Sequence, residues 1–215
     1  MRLPHAFSAL AVVVVAIAAA LAVVQPWNVV PRRAVAPQFE LTNAEGAIVS
    51  SDDLRGRMVL YTFTYTRCAK ACPQTNDVLR AVASRLPGGS ERLDIAYVAI
   101  SFDAAHDTPD ALRSYARSTN AGADWQFLTG APAALKWAIG GFNVFYEARS
   151  DGSFSFDPSI ILVDQDGYIR GDYRTRPSVE RIVHDVESVA REAQESRGLR
   201  RYTYEAAHLL VCSAQ

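Results

Sequence analysis

The sequence predicts an α/β domain with a central mixed β-sheet and helices packed against it. Three observations carry this. An apolar run from Met58 to Phe63 leads into a turn bearing Cys68 and Cys72, and after Pro73 the residues Leu79, Val82, Ala83 and Leu86 recur at helical spacing. A second apolar run, Leu93 to Ser101, follows that helix, and two buried strands joined by a helix make a parallel βαβ unit. Near the end, Ser159 to Val163 and Tyr168 to Tyr173 flank Asp164-Gln165-Asp166-Gly167, a hairpin turn that adds antiparallel pairing.

Taken in order, the chain opens with Ala6 to Val24, apolar except for Ser8 and free of charge. Nineteen helical residues rise about 28 Å, close to a hydrocarbon core of about 30 Å. Residues 1–25 are therefore expected to form a membrane anchor. Small residues around Ala18 to Ala22 leave a cleaved signal sequence open. Arg2 before the span and Arg32 and Arg33 after it leave its orientation unset. Residues 26–36, with Pro26 and Pro31, read as a tether, residues 37–195 as the globular domain, and residues 196–215 as a tail.

Within the domain, Phe39 to Leu41 reads as an edge strand and Asn43 to Gly46 as a turn. The cysteine turn and its helix follow, closed near Pro87-Gly88-Gly89, a helix-stop signal. Thr108-Pro109 starts another helix with Leu112, Tyr115 and Ala116 on one face. Pro132 to Ile139 is a short helix closed by Gly140-Gly141, and Phe142 to Ala148 is a β segment. Pro177-Ser178 opens the last helix, whose stripe of Ile182, Val183, Val186, Val189 and Ala190 is core and leaves His184 exposed. Net charge is -1 at pH 7, and no basic run with interleaved aromatics is present, so nothing argues for nucleic acid.

The chemistry concentrates at Cys68 and Cys72. Two cysteines four apart also occur in cores, where Cys acts as a small hydrophobe. Here they sit between a buried strand and a helix expected to start with Pro73 at its first position, at the positive end of that helix, where thiolate is favoured. A disulfide between them is near the outer limit of Cα separation if the backbone is helical, and a looser turn closes it. The same pair could hold a soft cation such as Cu(I). Asp103 falls at the same end of the strands, either as a partner to the thiols or as ordinary loop and cap chemistry. His106 and Cys212 are conceivable further ligands; the default readings are a solvated loop histidine and a spare thiol in the tail.

Three motifs in order give a resemblance. Thr66-Arg67-Cys68-Ala69-Lys70-Ala71-Cys72-Pro73, Ser101-Phe102-Asp103-Ala104-Ala105-His106-Asp107-Thr108-Pro109 and Trp125-Gln126-Phe127-Leu128-Thr129-Gly130 resemble the Sco (SenC) family over about Pro37 to Arg174. That family consists of thioredoxin-fold proteins involved in copper delivery to cytochrome c oxidase. The resemblance implies a thioredoxin-like fold, Cys68 and Cys72 as catalytic thiols or metal ligands, copper as the ligand, and a copper-site subunit of a respiratory oxidase or another thiol protein as partner. It also implies that the globular part faces the extracytoplasmic side of a membrane. One departure stands out. The family's third copper ligand is a histidine before a late strand, and this chain has Pro158 there, in Asp157-Pro158-Ser159. Proline ligates no metal. Many thioredoxin-fold redox proteins carry a proline at this point, often cis; an ordinary trans proline opening a strand is the alternative. The residues therefore support thiol–disulfide exchange through Cys68, Cys72 and Pro158, a two-thiolate copper carrier, or a non-catalytic assembly factor.

Overall fold

A computed structural model describes residues 29–86, 93–174, 178–196, 204–205 and 208. Within these, strands β1 (Ala34–Val35), β2 (Glu40–Asn43), β3 (Ile48–Ser50) and β4 (Met58–Thr64) precede helix α1 (Ala71–Arg85). Strand β5 (Ile95–Ser101), helix α2 (Pro109–Ser118), strand β6 (Trp125–Thr129) and helix α3 (Pro132–Gly141) follow. Then come β7 (Tyr146–Ala148), β8 (Phe154–Phe156), β9 (Ser159–Val163), β10 (Tyr168–Arg174) and helix α4 (Val179–Glu195).

Eight strands form one sheet in the order β1-β10-β9-β4-β5-β6-β2-β3, and β7 and β8 form a separate hairpin. The β4–β5 and β5–β6 pairs are parallel, as continuous apolar runs joined by helices require, while β9 lies antiparallel to β4. Every residue of β4 and β5 is buried, so both faces are covered. One face packs Val59, Tyr61, Phe63, Ile100 and Leu128 against Leu135, Ile139 and Phe142 around α3. The other packs Leu60, Ile160 and Leu162 against Leu79 and Val82 of α1 and Ile182, Val186 and Val189 of α4. Full burial of each such side chain is worth about 1.5–3 kcal/mol, enough to fix the strand register that positions the site.

Local signals set the helix starts. Thr108 caps α2, its hydroxyl accepting from the Ala111 amide at 3.3 Å, with Pro109 at the first helical position. Ser178 caps α4 by accepting from the Arg181 amide. Pro73 is the third residue of α1, not the first, because the helix begins at Ala71; its missing N–H is still one of the unpaired amides of a first turn.

Two expectations are corrected. The strand expected around Phe39 at the sheet's edge is interior: β2 pairs with both β6 and β3, because the Asn43–Gly46 turn folds β3 back outside it. The segment read as a tether joins the sheet as β1, with Arg33 N–H donating to Ile169 O and Ala36 N–H to Gly167 O, both at 2.9 Å. The apolar run Ala6–Val24, the Gly88-Gly89 stop and Cys212 lie outside the described residues. Among the described residues, no helix is long and apolar enough to cross a membrane.

Candidate functional site

Strand β4 ends at Thr64, and the chain turns through Tyr65 to Lys70 before α1 begins. This stretch is not helical, which answers the geometric question posed by the four-residue spacing. Cys68 N–H bonds to Tyr65 O at 3.1 Å, so Cys68 lies in a tight turn ahead of the helix, while Cys72 is its second residue. The Cα atoms are 5.8 Å apart and the two Sγ atoms form a disulfide. The Cys72 amide points at Cys68 Sγ, 3.1 Å away. Both cysteines are buried, at 7% and 2% exposure; Cys68 is the more exposed, as expected, by a narrow margin.

Two aspartates from the β5–α2 loop hold this turn. Asp107, fully buried, accepts from Thr66 N–H at 2.9 Å and from the Thr66 hydroxyl at 2.6 Å, and also from the Ser101 hydroxyl. Asp103, 3% exposed, accepts from the Arg67 guanidinium at 2.7 Å and contacts His106 Nδ1 at 2.8 Å. Burial works against its charge, but the bonds from Arg67 and His106 outweigh that and hold its carboxyl below the usual range. Arg67, one residue before Cys68, also reaches Gly152 O at 3.3 Å, so a single guanidinium joins the cysteine turn, the β5–α2 loop and the β7–β8 hairpin. Its bond to Asp103 raises its pKa further.

Behind the turn lies an aromatic cluster. Tyr65, Phe102, Tyr146, Phe154 and Phe156 stack or meet edge-on with ring centroids 4.9 to 6.3 Å apart. Cross-ring pairs of this kind add about 0.5–1.5 kcal/mol beyond burial, and here they fasten the hairpin to the cysteine turn. Pro158 sits between β8 and β9. The β4–β9 register pairs Thr62 with Ile160, and extended along the strands it sets Pro158 beside Thr64, at the end of β4 that leads to Cys68. No peptide bond among the described residues is cis, so the proline opens its strand in the trans form.

The sequence-derived candidates thus divide. Cys68 and Cys72 are bridged, Asp103 is bound into the wall of the same turn, and Pro158 lies at the same end of the sheet. Asp103 is therefore more than a loop cap. His106 is exposed and directed at Asp103 and Arg67, and His184 lies exposed on α4. Sequence reading missed Arg67, Asp107 and the aromatic cluster. The Ser101–Pro109 motif contained Asp107, and its repeat of two acids four apart was the available signal. As for metal ligation, the reduced Cys68 and Cys72 offer two soft sulfur donors, while Pro158 offers none. Among the described residues, no three His, Cys, Asp or Glu side chains are gathered as a metal cluster. Two thiolates suit Cu(I) and fall short of what Cu(II) prefers.

A model of the SCO1/SenC family matches residues 29–191. A putative copper-binding protein of Stutzerimonas stutzeri is 33% identical over 148 residues, covering 67% of this chain and 71% of that protein. The chain spans 58–71% of the length of four curated relatives that it matches, that protein among them. Among solved structures, copper-bound ScoI of Arabidopsis thaliana superposes with a TM-score of 0.68 at 23% identity, covering 74% of this chain and 99% of that one. BsSco, described as having a disulfide switch and as a member of the Sco family of cytochrome c oxidase assembly proteins, superposes with a TM-score of 0.65 at 25% identity, covering 75% and 96%. The fold is the thioredoxin-like fold of these Sco structures, and with the family model matching residues 29–191 the chain belongs to the SCO1/SenC family.

Proposed function

We propose that the protein assists assembly of a respiratory copper site chiefly by thiol–disulfide exchange at Cys68 and Cys72. The observation that carries this reading is the bridge closed across the strand-to-helix turn, with Pro158, which ligates no metal, at the neighbouring strand end. In the reduced protein, the Cys68 thiolate attacks one sulfur of a partner disulfide. That S–S bond breaks, and the other partner sulfur leaves with the electron pair and takes a proton. The Cys72 thiolate then attacks Cys68 Sγ, releasing the partner's second thiol. The partner gains two electrons, and the Cys68–Cys72 disulfide reforms. Cys68 is the attacking residue because it is the more exposed. Asp107 and Arg67 act by positioning its turn.

The membership of the SCO1/SenC family and the names of its relatives support a cysteine pair of a cytochrome c oxidase copper-site subunit as the substrate. The apolar run Ala6–Val24 supports a membrane tether, and the family membership supports a domain on the extracytoplasmic side. A second reading, Cu(I) carriage by the two thiolates, is favoured by the copper-bound relatives. One experiment separates the two. The fully reduced protein is titrated with Cu(I) and Cu(II) against a competing chelator, and its reduction of a disulfide-bonded oxidase copper domain is measured in parallel. Partner reduction without competitive copper binding is expected. Tight Cu(I) binding at one equivalent, lost on alkylation, together with no partner reduction, would establish the carrier instead.

A further inference from the structure

Beside the cysteine turn, the β7–β8 hairpin carries a groove of about 470 Å³ lined by Phe145, Tyr146, Glu147, Ser155, Phe156 and Asp157. Phe145 is 73% exposed, a large apolar ring with no core to enter. The groove's inner wall, Tyr146 and Phe156, belongs to the aromatic cluster that includes Tyr65, and its far end, Asp157, leads directly into Pro158. The groove is thus continuous with the reacting end of the sheet.

The charged residues of its lining are acidic. Glu147 and Asp157 are both exposed, and among the described residues no cation lines the groove. Two arginines stand at its margins with hydrogen bonds already made: Arg149 donates to Ser155 of the groove wall at 3.2 Å, and Arg174, within electrostatic reach of Asp157, forks onto Asp172 at 2.8 to 3.0 Å. Lys70, the exposed cation of the turn itself, lies outside the groove's lining. An exposed ring between two carboxylates fits a segment that brings an apolar contact and positive charge together.

We propose that this groove docks the client of the exchange reaction, and that its occupant is an extended cysteine-bearing segment flanked by lysine or arginine. The inference rests on the exchange reading above. Docking beside Pro158 holds the segment along the hairpin while its sulfur meets Cys68. Glu147 and Asp157 select cationic flanks chiefly through the association rate, which charge pairing raises by roughly tenfold or more at low salt.

The test uses the full chain carrying Cys212→Ser throughout, as its Cys72→Ser variant, which leaves Cys68 as the one thiol of the chain. Two peptides with the same apolar core and a single cysteine, one with three lysine flanks and one with three glutamate flanks, are activated as mixed disulfides with thionitrobenzoate. Cys68 thiolate attacks the peptide sulfur, and thionitrobenzoate leaves with the electron pair, giving a coloured product. Each rate is divided by the same variant's rate with Ellman's reagent. The lysine peptide is expected to react about tenfold faster at low salt. That ratio should fall towards one in high salt and invert in Cys72→Ser/Glu147→Lys. Cys72→Ser/Phe145→Ser should slow both peptides. A ratio of one at low salt, or one untouched by Glu147→Lys, with brisk reaction of both peptides, overturns the docking surface and leaves the exchange reading standing. No reaction of Cys68 with either peptide or with Ellman's reagent overturns both.

Discussion

Replacing Asp107 by alanine removes the carboxylate that ties the cysteine turn to the end of β5, and its cost can be worked from the bonds lost. Three donors converge on it: the Thr66 amide, the Thr66 hydroxyl and the Ser101 hydroxyl. A hydrogen bond to a charged group is worth about 1.5–3 kcal/mol. Thr66 is only half-buried, so water recovers part of its share; Ser101 is fully buried and recovers little. Allowing for the non-additivity of neighbouring bonds, the loss comes to about 3 kcal/mol for Asp107→Ala and about half that for Asp107→Asn, which keeps the shape and one acceptor. The assay is urea unfolding with the disulfide intact, read at the midpoint with an unchanged slope. Thr66→Val, alone and combined with Asp107→Ala, closes a double-mutant cycle whose coupling should exceed about 0.5 kcal/mol. A loss below about 1 kcal/mol with no coupling to Thr66 would show that the aspartate does not hold the turn.

Other consequences can be checked directly. Pro158→His should raise Cu(II) affinity substantially in a competition titration, because it restores an imidazole beside two thiolates; no gain would mean that the site's geometry, not the missing ligand, limits affinity. Arg67→Met should move the acid-unfolding midpoint to higher pH. The depressed carboxyl of Asp103 contributes stability above its ordinary pKa and loses it as pH falls through the folded value, and removing its guanidinium partner raises that folded value. An unmoved midpoint would leave His106 as the group that holds Asp103. On the far side of the domain, the buried Arg170 bonds to Asp164 at 2.8 Å and to Glu192. Arg170→Met should therefore cost about 3–5 kcal/mol near neutral pH, with the deficit shrinking in acid as Glu192 takes up a proton; burial works against its charge, but His208 and Arg170 hold its carboxyl below the usual range. A deficit independent of pH would place its origin in packing.

The strands β4, β5, β9 and β10 and the helix α4 were legible because each carries its own periodicity: an unbroken apolar run, a turn of fixed chemistry, or a stripe at three and four residues. The cysteine turn was legible because strand, thiols and proline are consecutive. What could not be read was pairing across distance. Nothing local in Phe39 to Leu41 says that β6 will lie along one side and β3 along the other. The two-residue β1 is too short to show a period. Asp103 looked like a cap because its partner Arg67 stands 36 residues away, and a charge pair at that range leaves no pattern. The convergence of Phe154 and Phe156 with Tyr65, Phe102 and Tyr146 depends on how the hairpin folds over the turn. The sequence placed Pro158 ahead of its strand and left its isomer open, because either isomer can precede a strand; the structure has it trans.

The bridge itself spans a sequence separation of only four. Closing so small a loop restricts an unfolded chain little, about 2 kcal/mol on a loop-entropy basis against about 4.7 for a hundred-residue loop. The sheet, its two apolar layers and the aspartate-held turn supply the rest of the rigidity. On the proposed exchange reading, the domain opens and closes this bond without approaching its own unfolding, and the sulfurs serve as a replenishable reagent mounted on a scaffold that does not depend on them.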